Sequence, residues 1–500
     1  MPTPPPPTSD IASSAENPSR TPVLLRDRAF SFPSICAMVA VLFIFGLCLH
    51  SLPEPDFWWH LRNGQQIVQF HTIPKFDTYT FGAAGAPWLD HEWLSEVCLF
   101  LAFKLWALRG VFALYFALAA AIYAVTFCVS LTASADSIST LLVTIVAVML
   151  GSISFGPRPL LFGWLCMAVV LLVLERFHHG KSGIWILPPL FALWVNFHGS
   201  WVFGIVVFGA TIVSGLIEGD WGLIATSRWT HRQLNTLLLV FATSIAALFV
   251  NPFGYRLPLY PFDLLLRQPS NMKFVEEWQS VNFGKGSGKV ALVALLALLV
   301  TSLFSGRRWR LDQVLVAVFG IWMGLSHVRL LFFLGLIMTP ILATRLNLFP
   351  PVGPQRNRPV INAVIIAVMV GWIVFSLPSE SALQKDVNDK FPTAALDYMQ
   401  RQHITGRVFN EDWFGGYMEW TAPGIKPFTD SRADIFVYNG TFDDYVRAVR
   451  IVKPFEVLDK YHIGYVLIGP DSPLVYVLKR SPNWRVLYSD NVAVLLGRSE

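Results

Sequence analysis

The chain has 500 residues, of which 54% are hydrophobic and only 14% charged, against roughly 25% charged in a soluble globular protein. Its formal net charge of +5 comes without a basic tract interleaved with aromatics, which excludes the usual nucleic-acid surface. The apolar residues fall in repeated blocks of spanning length, roughly 17–20 residues. The blocks lack the alternation of barrel strands, so they are expected to be membrane helices, whose backbone groups are satisfied internally.

Residues 1–31 are rich in Pro, Ser and Thr and have no apolar periodicity, so a disordered cytoplasmic N-terminus is expected there. The first apolar block, about 33–52, is long for a signal-peptide core and is expected to stay as an uncleaved anchor. Further spans are expected at about 110–131, 138–155, 159–175, 183–197, 200–217, 233–250, 289–305, 311–326, 328–346 and 360–377, roughly 11 helices in all. The block from Glu92 to Ala107 is short and contains Glu96 and Lys104, which predicts a helix lying in the membrane interface. Residues 32–377 thus form the expected transmembrane domain, with a large first outside loop over 53–109.

The basic residues orient these spans. With the N-terminus cytoplasmic, the inner side receives Arg20, Arg26 and Arg28, then Arg176 and Lys181, then Arg228 and Arg232. It also receives Arg307, Arg308 and Arg310, and finally Arg345, Arg356 and Arg358, whereas the short outer turns receive only Arg158 and Arg329. Counting Glu92–Ala107 as a span would put the Arg307–Arg310 cluster outside, so the odd count is favoured. After about Pro378 charged residues return, and 378–500 is expected to be a soluble extracytoplasmic α/β domain. Strands are predicted at Tyr465–Ile468, Val486–Tyr488 and Val492–Leu496, with a hairpin turn at Ser489-Asp490-Asn491.

Cys36, Cys48, Cys98, Cys128 and Cys166 lie in apolar stretches without CxxC spacing, so they predict neither a disulfide framework nor a zinc site. The unusual polar residues gather on the outer side. The first loop reads Glu54-Pro55-Asp56-Phe57-Trp58-Trp59-His60, then Pro74-Lys75-Phe76-Asp77, then Trp88-Leu89-Asp90-His91-Glu92-Trp93. Later outer turns supply Gly156-Pro157-Arg158-Pro159, Asn196-Phe197-His198-Gly199, Arg256, Glu276-Glu277-Trp278 and Ser326-His327-Val328-Arg329. Such groups are costly at a membrane boundary, which makes them functional candidates. Plain structural roles compete: Asp77 can cap a turn, Asp90 can cap the interfacial helix, and the tryptophans can mark the aromatic belt. By type, Asp56, His60, His91 and Glu92 could ligate a metal, but no fixed ligand spacing supports a site.

With its ExD form just after the first span, Glu54-Pro55-Asp56 resembles the acidic motif of the GT-C superfamily of membrane glycosyltransferases. That superfamily includes protein mannosyltransferases, lipid A aminoarabinose transferases and oligosaccharyltransferases. Asp56 to His60, Asp90 to Trp93, Gly156 to Pro159 and Asn196 to Gly199 look like uncharacterised bacterial members, as do Asn410, Gly415-Gly416-Tyr417 and Asp430-Ser431-Arg432-Ala433-Asp434 in the tail. The chain has no adjacent Asp-Glu pair after the first span and no WWD-type motif in the tail. The resemblance implies a polytopic α-helical membrane protein with a C-terminal soluble α/β domain, in a bacterial inner membrane with the tail periplasmic.

It also implies a polyprenyl-phosphate-linked sugar donor, a membrane-lipid setting and a glycan, lipid or protein acceptor. Asp56 is the expected base, with Glu54 beside it and Glu92 as the alternate. Arg158, Arg256 and Arg329 are expected on the donor phosphate, aided by His198 and His327. Trp58, Trp59, His60, Asp77, His91 and Trp93 are the candidates for sugar contact. No cofactor is required by this reading, and a divalent cation stays open. A flippase for lipid-linked sugars and a non-catalytic assembly protein remain the alternatives, although few charges lie mid-span as a transporter would need.

Overall fold

Each of the eleven apolar segments is helical over most of its length in the computed structural model, which describes residues 29–134, 136–267, 276–346, 348–350 and 357–499. The N-terminal tract expected to be disordered lies, up to residue 28, outside the described residues. Local sequence explains several helix starts. Asp136 accepts from the backbone N–H groups of Ile138 (3.0 Å) and Ser139 (3.1 Å) at the start of Ser137–Gly151. Thr230 and Gln233 form a reciprocal capping box at the start of His231–Ala247.

Length separates these helices into groups. Five described helices are long and apolar enough to cross a membrane: Trp93–Ala133, Ser137–Ser154, Leu160–His178, Gly286–Phe304 and Val328–Leu346. Pro359–Phe375 with Glu380–Asn388, bent by 56°, makes a sixth if the pair is one span. Phe32–Cys48, Ile184–Phe197, Trp201–Ser214 and Leu311–Ser326 are shorter apolar helices. By length and composition, five or six of the described helices thus qualify as crossings.

The interfacial block and the span after it join in one helix, Trp93–Ala133, with a break at Trp106 (φ −152°, ψ 32°) and Ala107 (φ 49°, ψ −140°). Ala107 sits in the left-handed region, which an alanine rarely adopts. The Glu380 carboxylate stabilises the restart by accepting from the backbone N–H groups of Leu108 and Arg109, both at 3.1 Å. The two parts thus separate where the sequence predicts, at the end of the Glu92–Ala107 block.

On the side expected to face the cytoplasm, strands β1 (Gly219–Trp221), β2 (Ile224–Thr226) and β3 (Trp309–Arg310) form a small sheet in that order. Arg310 beside it donates to both oxygens of Glu175, at 3.0 and 2.7 Å, tying two helix ends together. In the tail, β4 (Val408–Asn410), β5 (Tyr465–Ile468), β6 (Trp484–Ser489) and β7 (Val494–Arg498) pair in the order β4-β5-β7-β6. Strand β4 was not expected; it pairs parallel to β5, and the other pairs are antiparallel. Asp490 closes the β6–β7 turn by accepting from Val492 and Ala493, each at 2.7 Å.

The tail does not hang free. Its Leu383, Val387, Phe391, Phe414 and Met418 share one apolar core with the helices of residues 32–377. Helix Asp412–Thr421 lies on the loop helix Pro55–Phe70, and Gly416 permits the approach: a Cβ there would be 3.0 Å from the Trp59 nitrogen and 3.3 Å from the Pro55 oxygen. That contact holds the first turn of the loop helix, which carries Asp56, against the tail.

Candidate active site

Helix Pro55–Phe70 starts at a proline, whose fixed φ suits the first helical position, and it places Asp56, His60 and Asn63 on one face at spacings of four and three. Asp56 is half-buried. Ser431 of the tail, whose hydroxyl accepts from Trp59 Nε1 at 3.1 Å, lies close enough to act on the Asp56 charge. Burial pushes the Asp56 carboxyl up from its ordinary value. Arg158, Ser431 and Arg329 pull it down, and the Glu277 carboxylate adds to the rise.

The arginines around it are not equivalent. Arg158 donates through Nη2 to Glu54 Oε1 (2.7 Å) and through Nη1 to Glu277 Oε1 (2.6 Å), so two carboxylates already hold it. Arg329 lies 3.9 Å from Glu277 Oε2 and stacks 4.7 Å over Trp278, a looser setting. Glu277, which sequence reading placed in an outer turn without a role, therefore bridges the two arginines. Arg256 is exposed, and among the described residues it makes no ion pair, so the structure does not bring it to this cluster. His327 points Nδ1 at the Trp278 carbonyl, 2.8 Å away, and braces that tryptophan rather than facing Asp56.

Glu92 occupies the next position. Its Oε1 is 3.3 Å from His198 Nε2 and 3.7 Å from His91 Nε2, and its Oε2 is 3.7 Å from His60 Nε2. His198 Nδ1 accepts from the Ser200 N–H at 3.0 Å, so its proton resides on Nε2 and points at Glu92. Burial, with Arg329 and His91, holds His198 well below its ordinary value. Burial and the neighbouring Asp56 push Glu92 well up. His91 stacks on Tyr260 at 4.2 Å, and Tyr260 donates to Asp434 of the tail at 2.9 Å. Behind His60, Asn63 donates to Asp90 at 2.7 Å and also to Glu96, which meets His60 Nδ1 at 2.9 Å. Among the described residues no group of three His, Cys, Asp or Glu side chains is arranged to hold a metal ion.

Several candidates for sugar contact have other work. Trp58 is 2% exposed and edge-on to Phe391 and Tyr417, so no ring face is left for a sugar. Trp59 is covered by His60, 3.6 Å between ring centres. Asp77 is buried, caps the turn at Tyr79 and Thr80, and pairs with Arg432 at 2.8 Å. Trp93 donates to Asn196 at 2.9 Å, pinning the interfacial helix to the His198 corner. Three of these four side chains are buried and Trp93 is half-buried, placements the sequence does not display. Sequence reading passed over Ser431, Tyr260, Asn63 and Glu277 as site residues. Only Asn63 carried a readable signal, its helical spacing from Asp56 and His60.

No family model matches the chain, and no curated protein matches it in sequence. The fold does have solved counterparts. The Archaeoglobus fulgidus oligosaccharyltransferase superposes with a TM-score of 0.53 at 12% identity, covering 87% of this chain and 69% of that one. ArnT from Cupriavidus metallidurans superposes with a TM-score of 0.52 at 13% identity, covering 93% of this chain and 97% of that one. At these identities the likeness is one of fold, and this chain has the fold that the two proteins share.

Proposed function

We propose that this chain, which has the fold of the GT-C membrane glycosyltransferases, moves a sugar from a polyprenyl-phosphate-linked donor to an acceptor on the extracytoplasmic face, in a bacterial inner membrane with the tail periplasmic. The observation that supports the reading is Asp56, a half-buried carboxylate in the first turn of the loop helix, near enough to Arg158, Arg329 and Glu277 for their charges to act on it. In the transfer, the acceptor hydroxyl oxygen attacks the sugar C1 while the C1–O bond to phosphate breaks. Asp56 takes the hydroxyl proton, and the phosphate leaves with the electron pair. A carboxylate with a raised pKa suits the base, because proton transfer is most efficient when the catalytic pKa lies near the working pH.

Arg329 is the cation best placed to meet the leaving phosphate, because Glu54 and Glu277 already occupy Arg158. A bound phosphate would compete with Glu277 for both guanidiniums and favour that exchange through charge-assisted hydrogen bonds. Glu92, faced by the His198 Nε2–H at 3.3 Å, is the alternate acid–base group. The match to ArnT along nearly the full length of both chains supports the reading at the level of fold.

The test is a kinetic split between two variants in lipid nanodiscs. Asp56→Asn is expected to lower kcat by about 10²–10⁴, the usual worth of a positioned base, with the donor KM little changed. Arg329→Gln is expected to raise the donor KM. Wild-type kcat in Asp56→Asn with an intact fold would remove Asp56 from the reaction.

A further inference from the structure

We propose that the cavity between the loop helix Pro55–Phe70 and the segment following helix Asp412–Thr421 binds an acidic sugar unit, one carrying a carboxylate or a phosphate, as part of the acceptor. The cavity has a volume of about 150 Å³, and Arg62, Gln66, Tyr79, Glu419 and Lys426 supply its polar lining. At about 30 Å³ per water, this space holds a few waters or one sugar ring. Pro423 and Pro427 give it an apolar wall of the kind a ring face packs on.

An unmet polar group marks the spot. Glu419 is 3% exposed, and neither of its carboxyl oxygens has a hydrogen-bond donor among the described residues. Arg432 Nη2 stays 3.8 Å from Glu419 Oε1, beyond hydrogen-bond reach, because Asp77 and Asp430 already hold it. Burial and the adjacent Asp430 push Glu419 well up from the ordinary carboxylate range, and both its oxygens stand at the cavity as unmet polar atoms. Buried acceptors in native sites are nearly always satisfied, and a sugar hydroxyl donating from the cavity would satisfy this one.

Charge selects among sugars. The lining sets two positive groups, Arg62 and Lys426, against a single carboxyl, the buried Glu419. Arg62 donates to the neutral Gln65 at 2.7 Å, and neither cation makes an ion pair among the described residues. Two unneutralised cations beside a hydroxyl acceptor fit an anionic saccharide better than a neutral one. Gln66 lies ten residues beyond Asp56 on the same helix, about 15 Å along its axis at 1.5 Å per residue. The subsite would thus hold a unit set back from the point of transfer.

The acceptor role rests on the transferase reading, whereas binding does not require turnover. The experiment is a saturation-transfer NMR titration of the full chain in detergent with glucuronic acid, glucose 6-phosphate and glucose. At least one acid is expected to bind at least tenfold more tightly than glucose, and which acid binds distinguishes carboxylate from phosphate. Lys426→Ala, at an exposed position, and the Arg62→Gln/Lys426→Ala double variant are expected to weaken that binding, the double at least tenfold. Asp56→Asn is expected to leave it unchanged. Binding of neither acid, equal binding of glucose, or acid binding that survives the double substitution would overturn the proposal. Transfer that persists without sugar binding defeats this pocket alone, and binding without any transfer defeats the transferase reading alone.

Discussion

Two neighbours act on Asp56 with opposite signs. Glu277 raises its pKa and Ser431 lowers it. Removing the Glu277 charge stabilises the Asp56 carboxylate, so Glu277→Gln is expected to shift the acid limb of the transfer rate to lower pH. Removing the Ser431 donor destabilises the carboxylate, so Ser431→Ala is expected to shift that limb to higher pH. In the wild type the limb belongs above about 3.9, the ordinary aspartate value, since transfer requires the deprotonated form and is lost as pH falls through the raised pKa. A pH–rate profile of the three proteins checks all three positions, and shifts of the opposite sign would separate Asp56 from the rate.

At the scale of elements, the site exists because the tail helix reaches the loop helix. Gly416→Ala would place a methyl group 3.0 Å from the Trp59 nitrogen. The helices must then part, at a cost of about 1–3 kcal/mol for overpacking, and Ser431 moves away from Asp56. Thermal unfolding together with transfer kinetics checks this, with kcat expected to fall by more than the stability loss explains. Arg432 is the second tie: it is fully enclosed, pairs with Asp77 of the loop at 2.8 Å, and also holds Asp430. Arg432→Met leaves those buried carboxylates without their cation, a loss of about 3–5 kcal/mol, visible as a lower unfolding temperature.

The apolar blocks, the break near Ala107 and three of the four tail strands were legible because each follows from local pattern, namely hydropathy, an interrupted apolar run and turn residues. Asp56 with Arg158 and Arg329 was legible as residue types at span ends. The roles of Trp58 and Asp77 were not, because burial by Tyr417 and pairing with Arg432 depend on a tail more than 300 residues away in sequence. Ser431 was hidden for the same reason, and Glu277 because its contact with Arg158 spans 119 residues.

For the whole molecule, the basic residues predict one orientation, and it can be measured. In a background with the native cysteines replaced by alanine, Tyr476→Cys on the exposed tail is expected to react with a membrane-impermeant maleimide in intact cells. Arg308→Cys is expected to react only after permeabilisation. The reverse pattern would place the Asp56 cluster on the cytoplasmic face.

The most direct measurement of the central claim is product formation by the purified chain in lipid nanodiscs. Polyprenyl-phosphate sugars would be offered with envelope extracts as acceptors, and mass spectrometry would follow both released polyprenyl phosphate and glycosylated product. The expected result is acceptor-dependent release that falls by about 10²–10⁴ in Asp56→Asn. Release from no donor across the pH range, or equal release by the variant, would contradict a transferase centred on Asp56.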